Sequence, residues 1–215
     1  MDQFYQQFGK RLFDLFFSLF VFSFSWPLFL IMSLLIRLTS PGSIIFKQKR
    51  IGKKGQVFEL YKFRTMIPEA EQLKKKYFQL NEADGPVFKI KDDPRFINGL
   101  GKFLAHTGLD ELPNLLNVLK REASWVGPRP LPEAEERQIP PQIRRKRQSI
   151  LPGITSWWVV KGTHSLSFKK WMELDSLYVK KMSFLTDLGI IIKTGYLCLK
   201  MAKNYLVRLL SQTRG

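Results

Sequence analysis

The chain has 215 residues, with 35 Lys and Arg against 18 Asp and Glu, a net charge of +17, and one cysteine. That length fits one modest domain with appendages, and the charge implies an anionic partner: nucleic acid, an acidic membrane face or phosphorylated substrates. The lone Cys198 excludes an internal disulfide or a cysteine-based zinc cluster and agrees with a reducing compartment such as the cytoplasm.

No residue from Leu15 to Ile36 is charged, and the run is rich in Phe and Leu. About 20 apolar residues suffice to cross a bilayer. Arg37-Leu38-Thr39-Ser40-Pro41 follows in place of a small-residue cleavage site, so the run is expected to stay on the protein. Pro27 lies near its centre behind Ser23 and Ser25, which predicts a bend, because a mid-helix proline removes one backbone hydrogen bond and displaces the turn before it. Basic residues flank both ends: Lys10 and Arg11 before, and Arg37, Lys47, Lys49, Arg50, Lys53 and Lys54 after. Two basic ends are most simply placed on one cytoplasmic face, so a re-entrant helical hairpin over residues 1–40 is expected, with a kinked single span as the alternative.

Ser43–Gln48 and Gln56–Phe63 read as strands of a β-hairpin joined by the basic turn Arg50–Gly55. Lys62 and Arg64, two apart on the second strand, share a face on which two cations could clamp a diphosphate. Glu69–Leu80 reads as a charged surface helix. Asp84–Lys89 and Asp92-Asp93-Pro94-Arg95 read as turns around a short strand, with Arg95 a candidate phosphate contact. Asp92 and Asp93 could take a metal, although Asp before Pro more commonly starts a turn.

A helix over Phe96–Ala105 leads to Thr107-Gly108-Leu109-Asp110-Glu111-Leu112-Pro113-Asn114. Leu112, Leu115, Leu116 and Leu119 recur at helical spacing, so Asp110 is placed as an N-cap and Pro113 in the first turn. Capping alone would account for two acids there. Ser124-Trp125-Val126-Gly127-Pro128-Arg129-Pro130 follows at once, then an acidic patch, Glu133–Glu136, and Arg144–Arg147, read as a solvated basic helix face suited to anionic headgroups. A helix is expected over Phe168–Lys181. The tail from Phe184 to Leu210 is apolar around Lys193, Lys200, Lys203 and Arg208, an interfacial pattern in which lysines snorkel to headgroups; a core helix is the alternative.

The fold expected is α+β, mostly helical with a small β-hairpin. It comprises the re-entrant membrane segment (residues 1–40), a cytoplasmic catalytic domain (41–183) and an amphipathic membrane-interface tail (184–215). A basic, membrane-held protein with an acid pair at a helix mouth suits phosphate chemistry. A carboxylate can attack phosphorus once Mg²⁺ and Lys/Arg neutralise the repulsion between anions, and Mg²⁺ characteristically uses one or two carboxylates plus substrate phosphates. The helix N-terminus should keep Asp110 deprotonated.

The run from Asp110 to Pro130 resembles the signature of the bacterial sugar transferases, the monotopic phosphoglycosyl transferases: leucine, Asp-Glu, leucine, a leucine/asparagine helix, then Gly-Pro-Arg-Pro. The likeness extends through Lys10–Asp14, Tyr61–Met66, Asp92–Arg95, Leu151–Thr155 and Glu173-Leu174-Asp175, nearly the whole chain in order. It implies that Asp110 attacks the sugar-bearing phosphate of a UDP-sugar, releases UMP and holds a phosphosugar that undecaprenyl phosphate then takes. Glu111 would share Mg²⁺ with Asp110 or position the acceptor. Lys62, Arg64, Arg95 and Arg129 would contact phosphates or uridine, and Asp175 would face the site. The setting implied is the cytoplasmic face of a bacterial inner membrane rich in anionic phospholipid, with a homo-oligomer open.

The chain departs from the family pattern before Asp-Glu, where Leu104-Ala105-His106-Thr107-Gly108 lacks the usual arginines and His106 is the one titratable stand-in. It departs again at Ser156 and Trp158, where Gly and Ala are usual, and Trp26 separates Ser25 from Pro27. Two other classes remain open. One is a membrane phosphotransferase without a covalent step; the other is a non-enzymatic, membrane-anchored binder of nucleic acid or phospholipid. No zinc finger or RRM-like aromatic motif is present in the sequence, so nucleic acid is not the expected partner.

Overall fold

The computed structural model describes residues 2–90, 92–162 and 165–212. A helical turn α1 (Asp2–Phe4) and a π-helical stretch (Tyr5–Gly9) run into α2 (Lys10–Thr39), which holds Pro27 in its interior. α2 runs through Pro27 as one continuous helix, so the re-entrant hairpin expected over residues 1–40 is not seen as two separate helices. The Ser23 hydroxyl donates to the Leu19 carbonyl one turn back, a local bond that supports the backbone just ahead of the proline.

Both flanks of α2 are held by the rest of the chain while its middle is bare. Near the start, Phe17 packs edge-on against Trp125 with centroids 4.7 Å apart. Near the end, Met32 and Ile36 are buried with Phe63 and Leu104, and Phe29 lies on the Phe63 ring. Between them Leu19, Phe20, Phe22, Phe24 and Trp26 are exposed.

The hairpin forms as expected, slightly shifted: β1 (Ile45–Ile51) pairs antiparallel with β2 (Val57–Phe63), placing Phe46 opposite Lys62 and Arg50 opposite Phe58. The charged run after it gives only α3 (Ala70–Leu73) and a 3₁₀ turn at Phe78–Leu80, not the helix expected over Glu69–Leu80. Three successive lysines, Lys74 to Lys76, interrupt any apolar stripe that could hold a longer helix to the core. The short strand expected between the turns at Asp84–Lys89 and Asp92–Arg95 is not formed at Ile90, and Lys91 lies outside the described residues. The Asn81 side chain bonds the Val87 carbonyl and the Lys89 amide and supplies the partners a neighbouring strand would have given.

Helix α4 (Asn98–Thr107) ends at left-handed Gly108, a 3₁₀ helix covers Leu109–Asn114, and α5 (Leu115–Leu119) continues it. β3 (Ser124–Val126) and β4 (Gly153–Thr155) form a second, two-stranded parallel sheet, enclosing α6 (Glu133–Glu136) and α7 (Pro141–Arg147) in the crossover. Then come α8 (Trp157–Lys161), α9 (Phe168–Lys181) and α10 (Phe184–Gln212).

A buried polar cluster fastens α2 to α10. Lys10 Nζ lies 2.6 Å from Asp187 Oδ2, the Tyr5 hydroxyl donates to the same oxygen at 2.7 Å, and the Tyr178 hydroxyl lies 2.7 Å from Asp187 Oδ1. Four residues on, Asp14 accepts from the Ser124 hydroxyl and the Trp125 amide, and the Trp125 indole donates to Ser18. α10 turns one face to the body through Asp187, Ile190, Thr194 and Tyr205 and leaves Leu185, Ile192, Tyr196, Leu199, Leu206 and Leu210 exposed. It is therefore half-packed and not a core helix. Lys193, Lys200 and Lys203 are also exposed, whereas the Arg208 side chain lies outside the described residues.

Two glycines let the parallel sheet reach the site. A Cβ on Gly153 would stand 2.0 Å from the Gly127 amide nitrogen, and one on Gly127 would stand 2.5 Å from the Leu151 carbonyl. Both obstacles are backbone and cannot swing aside. Gly153→Ala is therefore expected to lose roughly 1–3 kcal/mol or more, read as a shift in the denaturant midpoint; an unchanged midpoint would show that the two segments can separate freely.

Candidate active site

Asp110 does not cap a helix. The cap position is Gly108, no side-chain cap bond is made, and Asp110 lies inside the 3₁₀ turn with 7 % of its surface exposed. Its partner is Lys62, which reaches from β2 with Nζ 3.3 Å from Asp110 Oδ2 and 2.7 Å from Glu111 Oε1. Arg129 of the Gly-Pro-Arg-Pro loop donates to the same Glu111 oxygen at 3.1 Å, and Asn114 Nδ2 donates to Glu111 Oε2 at 3.1 Å. Three segments far apart in the chain thus meet on two adjacent carboxylates.

Burial and charge pull the two acids apart. Burial pushes the Asp110 carboxyl above the usual carboxylate range, with Lys62 pulling back and the Glu111 charge adding to the rise. Burial acts on Glu111 in the same direction, but Lys62 and Arg129 outweigh it and hold the group at about 2. The expectation that the helix terminus keeps Asp110 deprotonated thus needs correction: loss of water is the larger influence, and Lys62 supplies the counter-charge.

The other sequence candidates lie elsewhere. Arg64 turns away from Lys62, donating to the Pro41 carbonyl at 2.5 Å and the Ser40 carbonyl at 2.7 Å, where it closes the end of α2. A Cβ on Gly42, which has φ +110°, would meet its guanidinium at 2.3 Å. Strand alternation failed as a guide there because Arg64 follows the last residue of β2. Arg95 is consumed by Asp93 through Nε–Oδ1 at 2.8 Å and NH2–Oδ2 at 2.6 Å, and it donates to the Ala70 carbonyl. Asp92 pairs with Lys102. His106 keeps to its own helix, with Nδ1 2.7 Å from the Lys102 carbonyl, and does not join the carboxylates.

Asp175, 1 % exposed, does not face the carboxylates directly; it pairs with Arg147, whose NH2 donates to the Arg129 carbonyl at 2.7 Å. Burial lifts the Asp175 carboxyl to about 7, against the pull of Arg147 and with the push of Glu136. Arg147 is the residue sequence reasoning missed. It was grouped with a solvated basic run, yet it is 4 % exposed and sits between Asp175, Glu136 and the loop that carries Arg129. Its place at the last turn of α7, facing the crossover, has no signature in the run of four cations.

The carboxylate pair suits a hard cation in part. Glu111 and Asp110 offer adjacent oxygens, and among the described residues the ion pair of Asp110 uses Oδ2. No group of three or more His, Cys, Asp or Glu is placed to hold a metal among the described residues. An ion here would therefore complete its shell with substrate phosphates and water, as Mg²⁺ characteristically does.

The two carboxylates, neutralised by Lys62 and Arg129, stand on a chain whose long apolar helix has a bare middle. The bacterial sugar transferase family profile matches residues 5–201. The chain belongs to that family. It is 41% identical over 154 residues to the galactosyl transferase CpsE of Streptococcus agalactiae, covering 71% of this chain and 34% of that protein. It is 35% identical over 190 residues to the exopolysaccharide production protein ExoY of Sinorhizobium fredii, covering 86% of this chain and 83% of ExoY. It is 33% identical over 208 residues to the undecaprenyl-phosphate galactose phosphotransferase of Salmonella typhimurium, covering 93% of this chain and 42% of that enzyme. The chain thus spans less than half the length of two of these relatives and most of the third.

Asp175→Ala should leave Arg147 with only Glu136, at 3.5 Å, as a counter-charge. Removing one partner of a buried ion pair costs about 3–5 kcal/mol, which equilibrium unfolding would detect. A loss below about 1 kcal/mol would mean that water reaches Arg147 and that the pair does not hold the Arg129 loop.

Proposed function

We propose that the protein is a phosphoglycosyl transferase that moves a sugar-1-phosphate from a UDP-sugar to undecaprenyl phosphate at the cytoplasmic face of a bacterial inner membrane. The observation that carries this reading is the buried Asp110–Glu111 pair neutralised by Lys62 and Arg129, in a bacterial sugar transferase chain. The name of the Salmonella relative supplies the acceptor, undecaprenyl phosphate, and CpsE and ExoY supply the sugar chemistry and the exopolysaccharide setting.

In the first step an Asp110 oxygen attacks the sugar-bearing phosphorus. The bond from that phosphorus to the bridging oxygen breaks, and UMP leaves with the electron pair. In the second step an oxygen of undecaprenyl phosphate attacks the same phosphorus, the acyl phosphate breaks, and Asp110 returns as a carboxylate beside polyprenyl-diphospho-sugar. Splitting one displacement between two anions into two lets each use the same cations. Lys62 holds both carboxylates and meets the incoming phosphates; Arg129 aligns Glu111. Mg²⁺, held by Asp110 and Glu111, would add charge neutralisation on the diphosphate.

The bare middle of α2 and the exposed apolar stripe of α10 support membrane attachment. Because both flanks of α2 are bound to one body, we read its bare middle as lying in the bilayer, with the site at the lipid surface where a polyprenyl phosphate resides.

Asp110→Asn should abolish UMP release and the capture of a labelled phosphosugar on the protein while membrane association persists; undiminished turnover removes Asp110 as the nucleophile. The pH profile gives a second readout. The attacking group must be ionised and its pKa is raised, so kcat/KM should fall as pH drops through a value above the ordinary aspartate pKa of about 3.9. Lys62→Met takes away a charge that lowers that pKa, so its acid limb should move to higher pH; a shift the other way would contradict the ion pair.

A further inference from the structure

Beside Glu111 lies an open recess with room inside for about one water molecule, lined by Arg50, Leu60, Glu111, Asn114, Arg129 and Gly153, among others. Two of these residues carry buried polar atoms without a partner among the described residues, Asn114 Oδ1 and Arg50 Nε. Asn114 is 1 % exposed, and its amide orientation is set because Nδ2 must donate to Glu111 Oε2, which leaves the carbonyl oxygen as the unused acceptor. The other Arg50 nitrogens are occupied, NH1 by the Pro130 carbonyl at 3.1 Å and NH2 by Gln48 Oε1 at 2.5 Å, so Nε is the unused donor.

Buried donors and acceptors left unpaired cost about 1–3 kcal/mol each, so an unused acceptor and an unused donor on two residues of one recess mark a place for water or a ligand group. Its chemistry is narrow. A cation would satisfy Asn114 Oδ1 but face Arg50 and Arg129. An anion would satisfy Arg50 but face Glu111 and leave the amide oxygen unpaired. A hydroxyl satisfies both, donating to Asn114 Oδ1 while accepting from Arg50 Nε.

Resting on the transferase reading above, we propose that this recess receives a hydroxyl of the transferred sugar, and that Arg50 and Asn114 select among UDP-sugars. The geometry of phosphoryl transfer favours the sugar over the nucleotide. Attacking and leaving oxygens lie in line on opposite sides of phosphorus, so UMP departs away from the helix that carries Asp110. The sugar oxygen is one of the three lateral substituents. Asn114 lies four residues along the same 3₁₀ helix, about 8 Å of rise from Asp110.

The test measures kcat/KM for UMP release by the full chain in membranes, with the UDP-sugar it turns over and with that sugar lacking each ring hydroxyl in turn. One deoxy position should cost about 100-fold or more, as expected of a site built to hydrogen-bond a hydroxyl. In Arg50→Lys, which keeps the charge and drops Nε, and in Asn114→Ser, that penalty should shrink by at least about tenfold. The penalty compares two substrates on one protein, so a general loss of activity or stability in a variant cancels. If no deoxy position costs wild type more than about threefold, or if the penalty persists undiminished in the variants, the recess holds water and the proposal fails. Absence of UMP release from every UDP-sugar would instead remove the transferase reading itself.

Discussion

The ammonium of Lys62 lets two neighbouring carboxylates sit side by side out of water. Asp110 and Glu111 are adjacent in the chain and both are largely shielded from solvent, so without a counter-charge one of them would take up a proton. Lys62 touches both, and Arg129 adds a second charge on Glu111 alone. This asymmetry separates their roles. The acid with two cations stays ionised well below neutrality, while the acid with one is pushed up by burial.

Much of the fold serves to bring those cations in. The β-hairpin holds Lys62 across from the 3₁₀ turn, and the Asn117 side chain joins the two by accepting from the Tyr61 amide at 3.1 Å and donating to the Glu59 carbonyl at 2.6 Å. On the other side, Arg129 sits on a loop that leaves β3, whose strand is locked to β4 through facing glycines. Arg147 binds the back of that loop and is itself fixed by Asp175 and Glu136. A change several residues from the carboxylates can therefore act on them through the loop backbone.

The long apolar helix α2 belongs to the same construction. Arg11 donates to the Val118 and Leu119 carbonyls at the end of α5, a cation set against a helix C-terminus, and Arg64 does the same for the far end of α2. Lys10, Asp14 and Ser18 bind the sheet and α10 by hydrogen bonds instead of grease. Such directional contacts fix how the helix stands on the body, so the depth of the apolar middle and the position of the carboxylates are linked. A soft apolar contact alone would let one move without the other.

Composition and spacing determined a good deal. The uncharged run of α2, the hairpin, the limits of α9 and α10, and the acid pair were legible because each is a local pattern: hydropathy over a long window, alternation around a glycine turn, apolar residues at helical spacing. Lys62 and Arg129 could be named from the sequence through the family resemblance. What the sequence did not disclose is which partner each charge takes. Arg64, Arg95 and Arg147 look alike as letters, yet one closes a helix, one is absorbed by the aspartate two residues before it, and one braces the active-site loop. Ion pairing depends on which segments are packed together across the core, a long-range property that no local window contains. Tertiary structure alone decided that the acid at the helix mouth would give up its capping role and face a lysine from a distant strand.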